Sequence, residues 1–167
     1  LERLLYLSCG RDAAKTKELM EQLSKNGKYE ITPEMKEFMK DFSAGYADME
    51  ENAKEIKKVF DDTGYLIDTH TGVAAAVYEQ YKKKTGDMTK TVIASTASPY
   101  KFSRSVMEAV LGKKEDADEF ALIDEMERIS GVKIPQAIEE IRDAKILHNR
   151  QCKPEEMEET VKQTFSK

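Results

Sequence analysis

Helix start and stop signals recur along this chain and limit it to short helices. Asp12 and Asp48 stand where helix N-caps are expected, and Gly27 and Gly64 stand where those helices would end. Glu51 lies three residues after Asp48, a spacing that predicts a capping box. The full set of helix-ending glycines is Gly27, Gly64, Gly86, Gly112 and Gly131. The pattern therefore predicts a helix-rich protein.

These signals predict nine helical segments in order along the chain. The first opens in mid-pattern at Leu1, and the others cover about 12–25, 34–40, 48–63, 71–81, 103–112 and 120–129, with two more opening at Pro135 and Pro154. The apolar run 92–94, flanked by Thr91 and Ser95, predicts a short buried strand. Residues 42–47 are predicted to be a short strand or an extended link.

Alternation of helices with a few strands predicts an α/β protein with a small sheet and many helices. The predicted strands are too few for a doubly wound sheet that stands alone. Leu1 begins in helical rhythm, with no methionine and no capping residue before it. We therefore expect residues 1–167 to be a portion of a longer protein, truncated at its start.

Composition describes one ordinary soluble domain and narrows the classes of function. The 167 residues are 35% charged and 40% hydrophobic, and the net charge of −5 is spread over interleaved acids and bases, so neither a nucleic acid nor a membrane is an expected partner. The only cysteines, Cys9 and Cys152, show no disulfide spacing, which favours reduced thiols and a cytoplasmic location. With two histidines and two cysteines, no metal site is expected.

Three hydroxyl residues, Ser95, Thr96 and Ser98, follow the predicted strand at 91–95. Ser103 is a suitable N-cap for the next helix, with Phe102 as a hydrophobic staple, so that helix does not require the earlier hydroxyls. Ligands bind beyond the carboxyl ends of strands in open α/β sheets, and a hydroxyl can donate to or accept from a heteroaromatic nitrogen. The cluster is therefore either a helix-entry turn or one wall of a binding site.

A second polar cluster, 68–71, precedes a helix whose first turns contain small residues. Asp68 or Thr69 can cap this helix through a side-chain oxygen. Alternatively, the helix start binds an anion of a ligand, because its free amides and dipole favour negative charge. The small residues from Gly72 to Ala76 predict close packing against a neighbouring helix.

Six segments together resemble the carboxyl-terminal part of the threonine synthase family: LERLLYLSCG, FSAGYA, GYLIDTHTGVAAAVYEQY, TVIASTASPYKF, ISGVKIP and HNRQC. The resemblance extends along essentially the whole chain, and STASPYKF and DTHTGVA are the most specific stretches. It implies a pyridoxal-phosphate enzyme of the tryptophan-synthase-β-like group, which converts O-phospho-L-homoserine and water into threonine and phosphate. The implied fold is a helix-rich part of a three-layer α/β/α cofactor domain of fold type II.

The resemblance also implies roles for individual residues. Thr96 corresponds to the group that faces the pyridine nitrogen of the cofactor, and Asp68 to a polar residue near the ring. Ser95, His70 and Thr71 are the further cofactor-binding candidates. The Schiff-base lysine and the phosphate loop belong to earlier parts of such enzymes, so no catalytic residue is assigned here and the chain is expected to be inactive without its amino-terminal part.

Two other interpretations stay open at this point. One is another pyridoxal-phosphate enzyme of the same fold, such as a serine or threonine dehydratase. The other is a non-catalytic α/β interaction domain, which would melt cooperatively as a monomer. A portion of a larger enzyme would instead expose apolar surface where the rest of the protein packs.

Overall fold

The computed structural model describes residues 1–166, which form nine α helices and two 3-10 turns. The α helices are α1 Glu2–Ser8, α2 Ala13–Asn26, α3 Pro33–Phe38, α4 Met49–Thr63, α5 Thr69–Thr85, α6 Ser103–Leu111, α7 Glu119–Ser130, α8 Gln136–Arg142 and α9 Met157–Phe165. The 3-10 turns are Pro99–Phe102 and Pro154–Glu156. Among residues 1–166, no helix combines the length and the apolar character needed to cross a membrane.

Most of the predicted helix ends are confirmed, because they depend on local hydrogen bonds. Asp12 caps α2 by accepting from the Lys15 amide at 2.9 Å. At α4, Asp48 accepts from the Glu51 amide at 2.8 Å, and the Glu51 carboxylate accepts from the Asp48 amide at 3.0 Å. Gly64 ends α4 with a φ of 70°, a left-handed conformation that glycine adopts without steric cost.

The strand predicted at 91–95 is absent, as is any other strand within residues 1–166. Val92 is 93% exposed, so this apolar stretch is not buried in the chain. A strand requires a neighbouring segment with which its backbone can pair, and the described residues supply none. Residues 42–47 likewise form a link between helices, the second of the two alternatives predicted for them.

Ser103 is not the N-cap of α6, which corrects a second prediction. The 3-10 turn Pro99–Phe102 runs directly into α6, and the cap position of that turn is Ser98, whose hydroxyl accepts from the Tyr100 amide at 3.3 Å. The Ser103 hydroxyl instead donates to the Glu119 carboxylate at 2.6 Å. Phe102 occupies the α6 cap position and does not act as a staple.

Two hydrophobic clusters hold α1 to α7. Helices α1, α2 and α3 each contribute one fully buried side chain to a small cluster of Leu5, Leu19 and Met35. Helices α4 to α7 surround a larger one, whose buried members are Ile56, Leu66, Ile67, Ala75, Tyr100, Val106, Met107, Ala109, Val110, Leu122, Ile123 and Met126. The larger cluster fixes the start of α5 relative to the turn before α6.

The packing of α5 on α4 depends on Gly72, as the run of small residues predicted. A Cβ atom at Gly72 would lie 2.2 Å from Asn52 Oδ1 and 2.8 Å from Ile56 Cγ1, both on α4. Real Cβ atoms do not approach other atoms so closely, so the two helices meet at a distance that only glycine allows.

We expect Gly72→Ala to lower the free energy of unfolding by about 1–3 kcal/mol, because the added methyl group overpacks a contact with the buried Ile56. Urea denaturation at neutral pH measures this change. The matched control is Ala74→Gly at an exposed position of the same helix, where glycine should cost about 1 kcal/mol through helix propensity alone. A Gly72→Ala protein at least as stable as the wild type would contradict the close contact.

Candidate functional site

The centre of the candidate site is the side chain of Asp68, which is fully buried at the start of α5. It follows Leu66 and Ile67, two residues of the larger hydrophobic cluster that are each 4% exposed. Its Oδ1 atom accepts from the His70 amide at 2.8 Å, which makes Asp68 the N-cap of α5. Of the two alternatives drawn from the sequence, the capping role is the one confirmed.

His70 shares the same carboxylate oxygen. Its Nδ1 atom lies 3.1 Å from Asp68 Oδ1, while the imidazole side chain is 63% exposed. An aromatic residue also contacts the imidazole: the His70 ring packs against Phe102 with a centroid distance of 5.0 Å and an interplanar angle of 58°. The buried carboxylate therefore orients an exposed imidazole.

Thr71 connects Asp68 to the hydroxyl cluster. The Thr71 Oγ1 atom donates a hydrogen bond to Asp68 Oδ2 and lies 3.0 Å from Ser95 Oγ. Thr71 is buried, whereas Ser95 is exposed. Four of the five predicted site residues are thus joined by hydrogen bonds: Asp68, His70, Thr71 and Ser95.

The fifth predicted residue, Thr96, is adjacent to Ser95 and exposed. Its hydroxyl makes no hydrogen bond within the part of the chain that the structure describes. Two contacts hold the backbone around it, the Ser95 contact on one side and the buried Tyr100 on the other. The Tyr100 hydroxyl donates to the Val132 carbonyl oxygen at 2.5 Å.

The hydrogen bonds keep the Asp68 carboxyl ionised despite its burial. Burial is the largest single influence and on its own raises the pKa, because it disfavours the charged form. The hydrogen bonds from Thr71 and from the amide and ring of His70 together outweigh it, so the pKa of Asp68 falls below its ordinary value. At neutral pH the site contains one buried negative charge.

This charge limits which ligands the start of α5 can hold. The amide of His70 is already used by Asp68, so the helix start has its own carboxylate in the position that a bound phosphate would take. Across residues 1–166, no three His, Cys, Asp or Glu side chains are grouped as a metal site would require. What remains available is a neutral hydroxyl beside an imidazole, which suits an uncharged polar atom.

Sequence reasoning did not reveal that two aromatic residues shape the site. Tyr100 anchors the turn after the hydroxyl cluster, and Phe102 packs on His70. The only local signal was the aromatic spacing after Pro99, which does not reveal partners 32 residues away at Val132 or on another helix.

Comparison with known proteins shows to which family the chain belongs. The family model described as "Threonine synthase, C-terminal" matches residues 71–163. The chain therefore belongs to the threonine synthase family, as a carboxyl-terminal part. The match includes Thr71, Ser95 and Thr96 and begins just after Asp68.

Individual proteins that are similar to this chain are also threonine synthases or threonine synthase-like proteins. Threonine synthase-like 1 of Macaca fascicularis is 31% identical over 111 residues, which are 66% of this chain and 14% of that protein; the Homo sapiens protein gives the same figures. Threonine synthase of Schizosaccharomyces pombe is 33% identical over 89 residues, 52% of this chain and 17% of the relative. The chain thus spans about a sixth or less of the length of these relatives.

A solved structure is also similar. The crystal structure of pyridoxal-phosphate-bound threonine synthase from Brucella melitensis superimposes with a TM-score of 0.53 and 28% identity. The similar region covers 78% of this chain and 26% of the solved one. The fold of this helix-rich chain therefore resembles about a quarter of that enzyme.

We expect Asp68→Asn to lower the free energy of unfolding by about 2 kcal/mol at pH 7, because it weakens hydrogen bonds to a buried charge. A lowered pKa means that the carboxylate stabilises the fold fully above pH 3.8, the ordinary aspartate value, and loses this effect as the pH falls through the lower folded-state pKa. The difference between variant and wild type should therefore shrink below pH 3.8, as measured by urea denaturation at several pH values.

Asp118→Asn is the matched control. Asp118 also caps a helix, α7, but is exposed, and its carboxylate accepts from the Phe120 and Ala121 amides. Asparagine caps helices about as well as aspartate, so this variant should change stability by less than about 0.5 kcal/mol at pH 7. Equal effects of the two substitutions would show that burial of Asp68 contributes nothing.

Proposed function

We propose that residues 1–167 are the carboxyl-terminal portion of the catalytic region of a threonine synthase. The intact enzyme would be a pyridoxal-phosphate-dependent carbon–oxygen lyase that converts O-phospho-L-homoserine and water into L-threonine and phosphate in threonine biosynthesis. The observation that carries this proposal is the exposed Thr96 hydroxyl without a partner in residues 1–166, beside a hydrogen-bonded Ser95, in a chain that belongs to this family.

The donor set of the site fits the ring nitrogen of pyridoxal phosphate. Thr96 would make a neutral hydrogen bond to this atom, and His70, Thr71, Ser95 and Asp68 would shape its surroundings. A hydroxyl leaves the nitrogen without the full proton that a carboxylate would hold there. When bound, the cofactor supplies an electron sink for carbanion chemistry, which this weaker contact moderates.

Other parts of the cofactor would be bound elsewhere in the protein. Because Asp68 occupies the start of α5, the cofactor phosphate finds no free helix start at this site. We assign the phosphate loop and the lysine that binds the cofactor covalently to an amino-terminal part of the same enzyme. The described relatives are several times longer than the part that this chain matches, which supports this assignment.

The same amino-terminal part would complete the fold. Residues 91–95 have the composition of a strand but no partner here, and Val92 is 93% exposed. We propose that this segment pairs with a sheet in the amino-terminal part, which would build the three-layer α/β/α domain of a fold type II enzyme. Without it the chain is inactive, because the covalent lysine is missing.

The proposed partners are the phosphorylated substrate and that amino-terminal part. The proposed location is the cytoplasm, where reduced thiols are the rule.

The first test compares this chain with a longer protein that includes the coding sequence upstream of Leu1. With added pyridoxal phosphate and O-phospho-L-homoserine, the longer protein should release phosphate and form threonine, and the 167-residue chain alone should do neither. Phosphate assay and amino-acid analysis measure both products. Ammonia release from threonine instead would indicate a dehydratase, and turnover by the short chain alone would contradict the proposed division of the active site.

The second test addresses Thr96 in the longer protein. Thr96→Val should reduce kcat/KM by about tenfold to a hundredfold, which corresponds to the loss of one hydrogen bond to a reacting group. Thr96→Ser should retain most of the activity, since it keeps the hydroxyl. Thr91→Val is the matched control, because within residues 1–166 the Thr91 hydroxyl bonds only to the Thr89 carbonyl oxygen in the same connection. Equal activities of the Thr96→Val and Thr91→Val enzymes would rule out the nitrogen contact.

A further inference from the structure

The Asp68 carboxylate is linked by a series of polar contacts to His70, Thr71 and Ser95. Asp68 Oδ1 lies 3.1 Å from His70 Nδ1, Asp68 Oδ2 is bonded to Thr71 Oγ1, and Thr71 Oγ1 lies 3.0 Å from Ser95 Oγ. The distances do not state which atom of each pair carries the proton. Counting the available protons decides this.

An ionised carboxylate can only accept hydrogen bonds, and a hydroxyl has one proton to donate. Thr71 must therefore give its proton to Asp68. Having none left, Thr71 can only accept from its second neighbour, so the Ser95 hydroxyl donates to Thr71. The proton of Ser95 thus points inward to α5, and only oxygen lone pairs of Ser95 remain for the exposed side.

The same rule determines the tautomer of His70. Its Nδ1 atom faces the carboxylate and must carry the proton. In the neutral ring, the exposed Nε2 atom is then an acceptor. Among the five residues of the site, only Thr96 has a side-chain proton that no neighbour in residues 1–166 accepts.

We propose that Asp68 is the positioning residue of the site: by taking the protons of His70 and Thr71, it turns His70 and Ser95 into acceptors and leaves Thr96 as the donor. A pyridine nitrogen without a proton can only accept a hydrogen bond. Thr96 could therefore donate to it, whereas Ser95, one residue away, could not. This deepens the proposed function and rests on it for the identity of the ligand. The buried charge would select which of two adjacent hydroxyls meets the nitrogen.

The first measurement is the tautomer of His70 in the 167-residue chain, which needs no cofactor. At pH 8, with 15N-labelled histidine, the two ring-nitrogen chemical shifts show which atom carries the proton. We expect the proton on Nδ1 in the wild type. Asp68→Ser retains a capping oxygen but no charge, and we expect the proton to move to Nε2 in a substantial part of the molecules. His148→Gln assigns the signals, because the chain has only two histidines.

The second measurement uses Thr71→Val, which removes the hydroxyl but keeps the size of the side chain and leaves the Asp68 cap intact. The His70 tautomer should stay as in the wild type. The Hα–Hβ scalar couplings of Ser95 should change from those of one fixed side-chain rotamer to rotamer-averaged values, because the Ser95 hydroxyl loses its contact with Thr71. Thr91→Val is again the control and should leave both readouts unchanged. This variant keeps the test decisive if Asp68→Ser fails to fold.

The outcomes separate this inference from the proposed function. A proton on His70 Nε2 in the wild type, or unchanged Ser95 couplings in Thr71→Val, overturns the positioning role of Asp68 whatever the protein catalyses. The expected tautomer and Ser95 couplings, in a protein whose longer form neither binds pyridoxal phosphate nor releases phosphate, support the proton arrangement and overturn the assigned ligand.

Discussion

Asp68 places a negative charge where water cannot reach it, and such a charge persists only if hydrogen bonds replace its hydration. His70 and Thr71 supply these bonds from the first turn of α5. The carboxylate therefore determines where α5 begins. Four residues further on, Gly72 contacts α4 at a distance that no other residue would permit, so the position of the helix start and the packing of the core depend on each other.

The hydroxyl cluster of Ser95, Thr96 and Ser98 contacts the Asp68 site through Thr71. Ser95 reaches Thr71, and Tyr100 is anchored at Val132 after α7, so the intervening backbone is held at both ends while Thr96 stays exposed. Rigid support beneath an exposed polar group is typical of binding sites. In a chain of the threonine synthase family, this arrangement gives a physical basis for the roles that we propose for Thr96 and Asp68.

Predictions from the sequence succeeded where the interaction was local and failed where it was not. The capping box of Asp48 and Glu51 spans three residues, and both of its hydrogen bonds are present. Ser103 had equally good local chemistry for a cap, but Glu119, 16 residues later, takes its hydroxyl. The strand at 91–95 failed for the same reason, since strand formation depends on a pairing partner that residues 1–166 do not contain.

The sequence by itself determined most of the helix ends and offered Asp68 as a candidate cap of α5, because these features depend on residues a few positions apart. The segments that carry the family resemblance can also be read from the sequence alone. Only the tertiary structure decided that Ser95 meets Thr71 across 24 residues and that the His70 ring packs on Phe102. Only there does the full burial of Asp68 become visible. These contacts form when α4 to α7 close around their shared core, and no pattern of neighbouring residues specifies how that core is packed.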